Sequence, residues 1–270
     1  VLIVLSPKHQ IAYLVFSFRL FFYICFDKRI FHLDRIKSME KQKSIVLLHG
    51  AIGDHHQMLP LATLLGESYQ VFSPDFPGHG RDTINNRLDV DYLIEFLKDY
   101  LNALNRGPVQ IFGFSMGGFV ATLCASRYPD LIGSIITYGT KWQWSPEIAE
   151  KEVSMLDAEK ISAKLPEFAN KLDALHSGIG WKNVLLATKN LMQHLGQNNE
   201  SLELEMASVS IPVLIMRGSH DKMVSREESL AMENLMSGGV YSEIPEFIHS
   251  IEQVDNILLL TEMKNRGFLE

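Results

Sequence analysis

The chain has 270 residues, 46% hydrophobic and 21% charged, an ordinary globular composition with room for one large domain or two small ones. Two cysteines, Cys25 and Cys124, make neither a disulfide framework nor a zinc pattern, which fits a reducing, cytoplasmic setting. Net charge is −7, with +4 carried by residues 1 to 38 and −11 by the remainder, and so acidic a body argues against nucleic acid as a partner.

The first 38 residues look foreign to the rest of the chain and hold eight of the 26 aromatic residues. Their apolar run, IAYLVFSFRLFFYICF, covers 16 residues, whereas a membrane-spanning helix needs ~20. Arg19 lies in mid-run, where a charge costs on the order of 3 kcal/mol on insertion scales. Basic residues come after the run instead of preceding it, and no small-residue cleavage site is present, unlike a secretory signal. The expected reading is translated upstream sequence with the natural start at Met39. The competing reading is an anchor that would make the protein membrane-associated. Either way the folded domain is expected over residues 39–270.

From residue 44 the pattern becomes regular. SIVLLHG is a short apolar run ended by Gly, as in a buried parallel strand. Residues 57 to 66 have helical spacing, YQVFSPD is the next strand, and PGHG breaks it. DVDYLIEFLKDYLNAL places Tyr92, Leu93, Phe96, Leu97, Tyr100, Leu101 and Leu104 on one helical face. VQIFG is strand, GGFVATLCASRY helix, and LIGSIITYG strand again. Cys124 falls in that apolar helical run and reads as buried filler.

Residues 141–208 break the alternation with several helical pieces and no convincing strand. One piece begins at Ser145-Pro146, an N-cap followed by Pro at the first helical position. The insert leaves after one strand and returns before the next, so it is expected over the carboxyl ends of the strands. Of two readings, a lid over a pocket or a decorative helical subdomain, the lid is favoured because open α/β sheets bind ligands at that edge. Beyond it, IPVLIMRG is a strand, Ser225 and Glu228 form a capping box for a helix at about 226 to 236, GVYSEI is the last strand, and residues 252 to 266 close the chain as a helix. Strands alternating with helices imply right-handed crossovers and a mostly parallel α/β sheet covered by helices on both faces.

The chemistry lies in the turns. Gly113-Phe114-Ser115-Met116-Gly117 joins a strand directly to a helix. So tight a turn strains its central residue, and the glycines leave room for neighbouring backbone. Ser115 is thereby presented at a helix N-terminus, where amide groups stabilise developing negative charge. A bare Ser is a weak nucleophile and needs a base and a group that orients the base. His249, in FIHSIEQV, comes after the last strand, and Asp221, in RGSHDKMV, after the strand before it. His249 stands out among ten histidines by position alone. The backbone amides of Ala51, just after His49-Gly50, and of Met116 are the expected oxyanion donors. His49 itself reads as a structural hydrogen-bonding residue.

The segments HGAIG, DFPGHGRD, GFSMGG, RGSHDKMV and FIHSIEQV resemble, in order and over roughly residues 44 to 265, those of the α/β-hydrolase superfamily. The resemblance is specific for the superfamily and weak for any substrate. Two departures stand out. Little room exists after Met39 for the two strands that larger members carry ahead of HG. Arg81-Asp82 also stands where a small residue often comes after the second Gly, and Arg81 reads as a solvated surface residue. The resemblance implies a serine hydrolase that acts on an ester or related acyl bond of a small apolar substrate through an acyl-enzyme, with Ser115, Asp221 and His249 as triad. No metal or organic cofactor is implied.

The lid's apolar set is Trp142, Trp144, Met155, Leu156, Phe168, Leu172, Leu175 and Trp181, and Trp142, Trp144 and Phe168 are the candidates for substrate contact. The alternatives are a carbon–carbon hydrolase or lyase, an acyltransferase, and a non-catalytic ligand-binding protein on the same fold. Relatives that eliminate pyruvate from menaquinone precursors often show Arg just after SMGG, where this chain has Phe119, which counts against the lyase.

Overall fold

The computed structural model describes residues 43–83 and 88–270. Packing divides the chain into Val1–Lys43 and Ser44–Glu270. The first unit, apart from Lys43, lies outside the described residues, as do Cys25 and both readings of the N-terminal extension.

Six strands form one sheet: β1 Ser44–Leu48, β2 Gln70–Phe72, β3 Val109–Phe114, β4 Ile132–Tyr138, β5 Val213–Gly218 and β6 Gly239–Ile244, in the order β2-β1-β3-β4-β5-β6. Every pairing is parallel. Parallel strands need covering on both faces, and their side chains alternate accordingly. Val46, Leu48, Val109, Ile111 and Ile135 point into one core, beneath α2 (Val90–Leu104) and α3 (Met116–Arg127). Ile45, Leu47, Phe112, Phe114 and Ile136 point into the other, which includes residues of α1 (Leu59–Leu65) and α9 (Asn256–Asn265). Helix α3 is buried from Met116 through Ala125, which explains its nearly all-apolar, small-residue sequence.

The strand order reverses between β1 and β3: the chain moves from β1 outward to β2, then returns to build the other side. In open α/β sheets such a switch point leaves a crevice at the carboxyl edge, and the turns after β1 and β3 both end there.

Between β4 and β5 the chain is helical: α4 Pro146–Met155, α5 Ala158–Lys164, α6 Pro166–Leu175 and α7 Trp181–Met206. Ser145 caps α4 through the Ile148 N–H, with Pro146 in the first turn, as its sequence predicts. Ile161, Ala169, Leu172, Trp181 and Leu185 give this segment a small core of its own. Helix α8 (Arg226–Leu235) carries the predicted Ser225–Glu228 capping box.

Two expectations change. In α2 the buried residues are Val90, Leu93, Ile94, Leu97 and Leu101, while Tyr92 is exposed. The inward stripe is rotated towards Ile94, whose aliphatic side chain has no polar tip to satisfy. The closing helix begins later than residue 252: a 3-10 turn, Ile251–Gln253, precedes Asp255, which caps α9 through the Ile257 and Leu258 N–H groups. His249 therefore sits in a loop rather than at a helix start.

Candidate active site

Ser115 connects β3 to α3 with φ 48° and ψ −114°, a left-handed conformation that a non-glycine residue adopts at a cost of ~1–3 kcal/mol. The surroundings impose it. Its N–H donates to the Tyr138 carbonyl at 2.9 Å, and its carbonyl accepts from the N–H groups of Gly118 and Phe119 and from Thr140 Oγ1 at 3.1 Å. The flanking glycines are sterically required. A Cβ on Gly113 would lie 2.4 Å from the Gly118 nitrogen, and one on Gly117 would lie 2.5 Å from the Leu48 carbonyl oxygen. Gly118 belongs to the same device, since a Cβ there would meet Thr140 Oγ1 at 2.1 Å.

Asp221 lies after β5 in a tight turn closed by its own N–H on the Gly218 carbonyl. Its carboxylate is wholly buried. Oδ1 accepts the N–H groups of Met223 at 2.8 Å and Val224 at 3.0 Å, and Oδ2 accepts His249 Nδ1–H at 2.9 Å. Burial pushes this carboxyl up, but the His249 hydrogen bond and charge, with the two backbone donors, outweigh it and hold the group below the usual carboxylate range. The turn is braced by buried Arg217, which donates to the carbonyls of Val224 and Asp221 and to Glu243.

The His249 loop is held by Tyr138, whose hydroxyl donates to the Ile248 carbonyl. The imidazole packs against the Phe114 ring at 5.4 Å. It also lies over Gly139 (φ 60°), where a Cβ would stand 3.2 Å from Nδ1.

Ser115 lies between two cavities. One, of about 320 Å³, is lined by Ser115 and His249 together with Ala51, Phe168, Leu172 and Met192. The other, of about 50 Å³, runs from Ser115 past Met116, Phe119, Trp144 and Leu195 and is largely apolar. Among the described residues no hydrogen bond joins Ser115 to His249; the two side chains face a shared space, an arrangement common in catalytic pairs before substrate binds.

The other predicted positions sort clearly. Ala51 lines both cavities and belongs to the turn Gly50–Gly53, which is closed by Gly53 N–H on the Gly50 carbonyl. Met116 stands in the first turn of α3, where N–H groups have no intrahelical partner. Trp144 and Phe168 line cavity walls. Trp142 does not: it is 1% exposed and packs on Phe119 at a ring separation of 6.4 Å, so the substrate contact expected of it is corrected to core packing. Leu156, Leu172 and Leu175 line the larger cavity, Trp181 is buried in the insertion's own core, and Met155 is exposed. Arg81 is exposed. Cys124 is buried, and burial pushes its thiol up to about 12.

His49 is structural, as expected: Nδ1–H donates to the Gly50 carbonyl at 2.8 Å, and Nε2 accepts the Phe76 N–H at 2.9 Å. Asp54, His55 and His56 bring ligand-type atoms within 4.8 Å of one another. Both imidazoles are engaged by carboxylates, His56 with Asp54 and His55 with Asp75. Arg217, Tyr138 and Thr140, which brace the Asp221, His249 and Ser115 turns, are residues that sequence reasoning missed, as is His176, which bonds to the Ile52 carbonyl. No helix among the described residues is long and apolar enough to cross a membrane.

Comparisons with known proteins agree with the fold. The family model for the alpha/beta hydrolase fold matches residues 43–178, and the chain belongs to that family. It is 29% identical over 140 residues to proline iminopeptidase PfmaB of Pestalotiopsis fici, an alignment covering 50% of this chain and 48% of that protein. It is 24% identical over 236 residues to 3-oxoadipate enol-lactonase 1 of Acinetobacter baylyi, covering 83% of this chain and 89% of that one. The crystal structure of the enol-lactonase from Burkholderia xenovorans LB400 superposes with a TM-score of 0.66 at 18% identity, covering 84% of this chain and 91% of that one, a likeness of fold.

Proposed function

We propose that this protein is a serine hydrolase that cleaves an ester or related acyl bond of a small apolar substrate through an acyl-enzyme. The observation that carries the reading is the single cavity onto which both Ser115 and the Asp221-held imidazole of His249 open. With Nδ1–H donated to Asp221, the His249 ring has Nε2 left to accept a proton. In the proposed mechanism Nε2 takes the Ser115 proton as Oγ bonds to the substrate carbonyl carbon. Asp221 stabilises the resulting imidazolium. The amides of Ala51 and Met116 receive the oxyanion, each contributing on the order of 3 kcal/mol. His249 then delivers the proton to the departing alkoxide. Water, deprotonated by the same imidazole, bonds to the acyl carbon, and the imidazolium returns that proton to Ser115 Oγ as the acyl–oxygen bond breaks and the acid leaves. The match to an enol-lactonase, by name an enzyme that opens a cyclic ester, supports hydrolysis.

In this proposal each cavity takes one half of the substrate. The leaving group must lie beside the base that protonates it, so it belongs in the larger cavity that His249 lines. The acyl group takes the smaller, apolar one. At about 50 Å³, that chamber is well below the ~150 Å³ that admits benzene, which favours a short acyl chain. The helices between β4 and β5 act as a lid, since Phe168 walls the larger space, and Met192 lines both.

A panel of p-nitrophenyl esters graded from acetate to octanoate tests this. The expected kcat/KM peaks at two to four acyl carbons and falls beyond, and Ser115→Ala abolishes turnover while folding normally. Turnover that survives in Ser115→Ala would refute the nucleophile, and a rate that climbs steadily to octanoate would refute the chamber assignment.

A further inference from the structure

The turn carrying Ala51 has an unusual need for support. Ile52 adopts φ 55°, a left-handed conformation that is a genuine outlier for a β-branched residue. Strain of this kind persists only where the surroundings over-determine it. Three of the contacts holding the turn come from its own neighbourhood: Gly53 N–H to the Gly50 carbonyl at 3.3 Å, Gly50 N–H to Gln57 Oε1 at 3.1 Å, and His49 Nδ1–H to the Gly50 carbonyl at 2.8 Å. All three grip Gly50 or Gly53. Ile52 itself is held from elsewhere: its carbonyl accepts His176 Nε2–H at 2.9 Å, from a residue 124 positions along the chain.

His176 caps the C-terminus of α6, with its N–H on the Leu172 carbonyl. It is 1% exposed. The Gly80 N–H donates to its Nδ1 at 3.1 Å, which makes Nδ1 the acceptor and leaves the ring proton on Nε2, where the Ile52 carbonyl takes it. The segment behind it is seated without slack: a Cβ on Gly178 would fall 1.9 Å from the Asp82 carbonyl oxygen. On the same helix, Phe168, Leu172 and Leu175 line the larger cavity. One rigid helix thus touches the proposed leaving-group space along its length and the strained turn at its end.

We infer that His176 is a positioning residue through which the lid sets the oxyanion turn: with α6 seated, its Nε2–H fixes Ile52 and so aims the Ala51 amide at the reacting carbonyl. This rests on the proposed hydrolase reading, and it assigns a second task to the lid beyond enclosing substrate. Because the amide it aims meets an oxyanion that forms only as the carbonyl is attacked, loss of His176 should reduce transition-state binding more than ground-state binding.

Two variants separate its two hydrogen bonds. His176→Asn keeps a polar atom where Nδ1 stands, facing Gly80, but is too short to reach Ile52. His176→Gln places an amide donor where Nε2 stands. With p-nitrophenyl acetate, His176→Asn should lower kcat about 10- to 100-fold with KM within about threefold, below the full ~10²–10³ of a deleted donor because the amide is misaimed rather than removed. It should weaken a short alkylboronic acid, a mimic of the tetrahedral oxyanion, by a similar factor. It should also speed hydrogen exchange at residues 50–53. His176→Gln should restore all three to within about threefold of wild type. Unchanged kcat and boronate affinity in folded His176→Asn would overturn the inference, as would equal losses in the two variants. Ser115→Ala in the same assay reports separately on the hydrolase reading: if that variant still turns over, the oxyanion role of Ala51 falls, whatever the His176 variants do.

Discussion

Two turns meet at the sheet's switch point, and each holds a non-glycine residue in left-handed backbone: Ser115 at φ 48° and Ile52 at φ 55°. The first is enforced by the core. Its N–H and carbonyl bond to β4, α3 and the segment after β4, and glycines at 113, 117 and 118 exist because no Cβ fits. The second is enforced partly by its chain neighbours His49 and Gln57, and partly by the imidazole of His176 at the end of α6. The proposed nucleophile is therefore set by the core alone, whereas the proposed oxyanion turn is also bonded to the helical insertion.

The largest expected effect leaves both turns alone. Asp221→Asn should lower kcat by about four orders of magnitude by favouring the wrong His249 tautomer, with little loss of stability. Ester kinetics beside a thermal melt checks this. Next comes the core-held turn. Gly117→Ala drives a Cβ to 2.5 Å from the Leu48 carbonyl oxygen and 2.8 Å from that of His49, backbone that cannot step aside. The expected cost is about 3 kcal/mol, read by urea unfolding, with activity falling in parallel. A normal midpoint would show that this turn is softer than its packing implies.

The body-side pin of the other turn should respond to acid. Burial pushes His49 down from 6.5 to about 4. Its folded pKa lies below the unfolded value, so the unfolded chain binds the extra proton between those limits. The stability tied to neutral His49 is complete above pH ~6.5 and is lost as pH falls towards ~4, about 3 kcal/mol in all. Unfolding free energies measured across that interval should fall in both proteins, because buried His79 is pushed down as well, and the fall should be smaller by about this amount in His49→Gln than in wild type.

Much of the fold and site was legible in the sequence because it was periodic or local. The strands, the Gly-x-Ser-x-Gly turn, the Ser145 and Ser225 caps and the order of Ser115, Asp221 and His249 each leave a short signature. The residues that were missed act over distance. Tyr138 bonds to the Ile248 carbonyl 110 residues away, and His176 bonds to Ile52 across 124. Neither has a pattern that distinguishes it from an ordinary polar or aromatic residue. Trp142 and Trp144 show the same limit at closest range: two residues apart in an irregular stretch, one fills the core and the other walls the small chamber, and without a helical or strand period nothing in their spacing separates them.

The central claim is that Ser115 is a nucleophile activated by His249. Labelling the folded protein with a fluorophosphonate probe, with peptide mass spectrometry of the product, tests it most directly. One adduct is expected, on the peptide containing Ser115, formed at least about a hundredfold more slowly in His249→Ala and absent from Ser115→Ala. An unlabelled wild-type protein, or an adduct that forms as fast without His249, would contradict it.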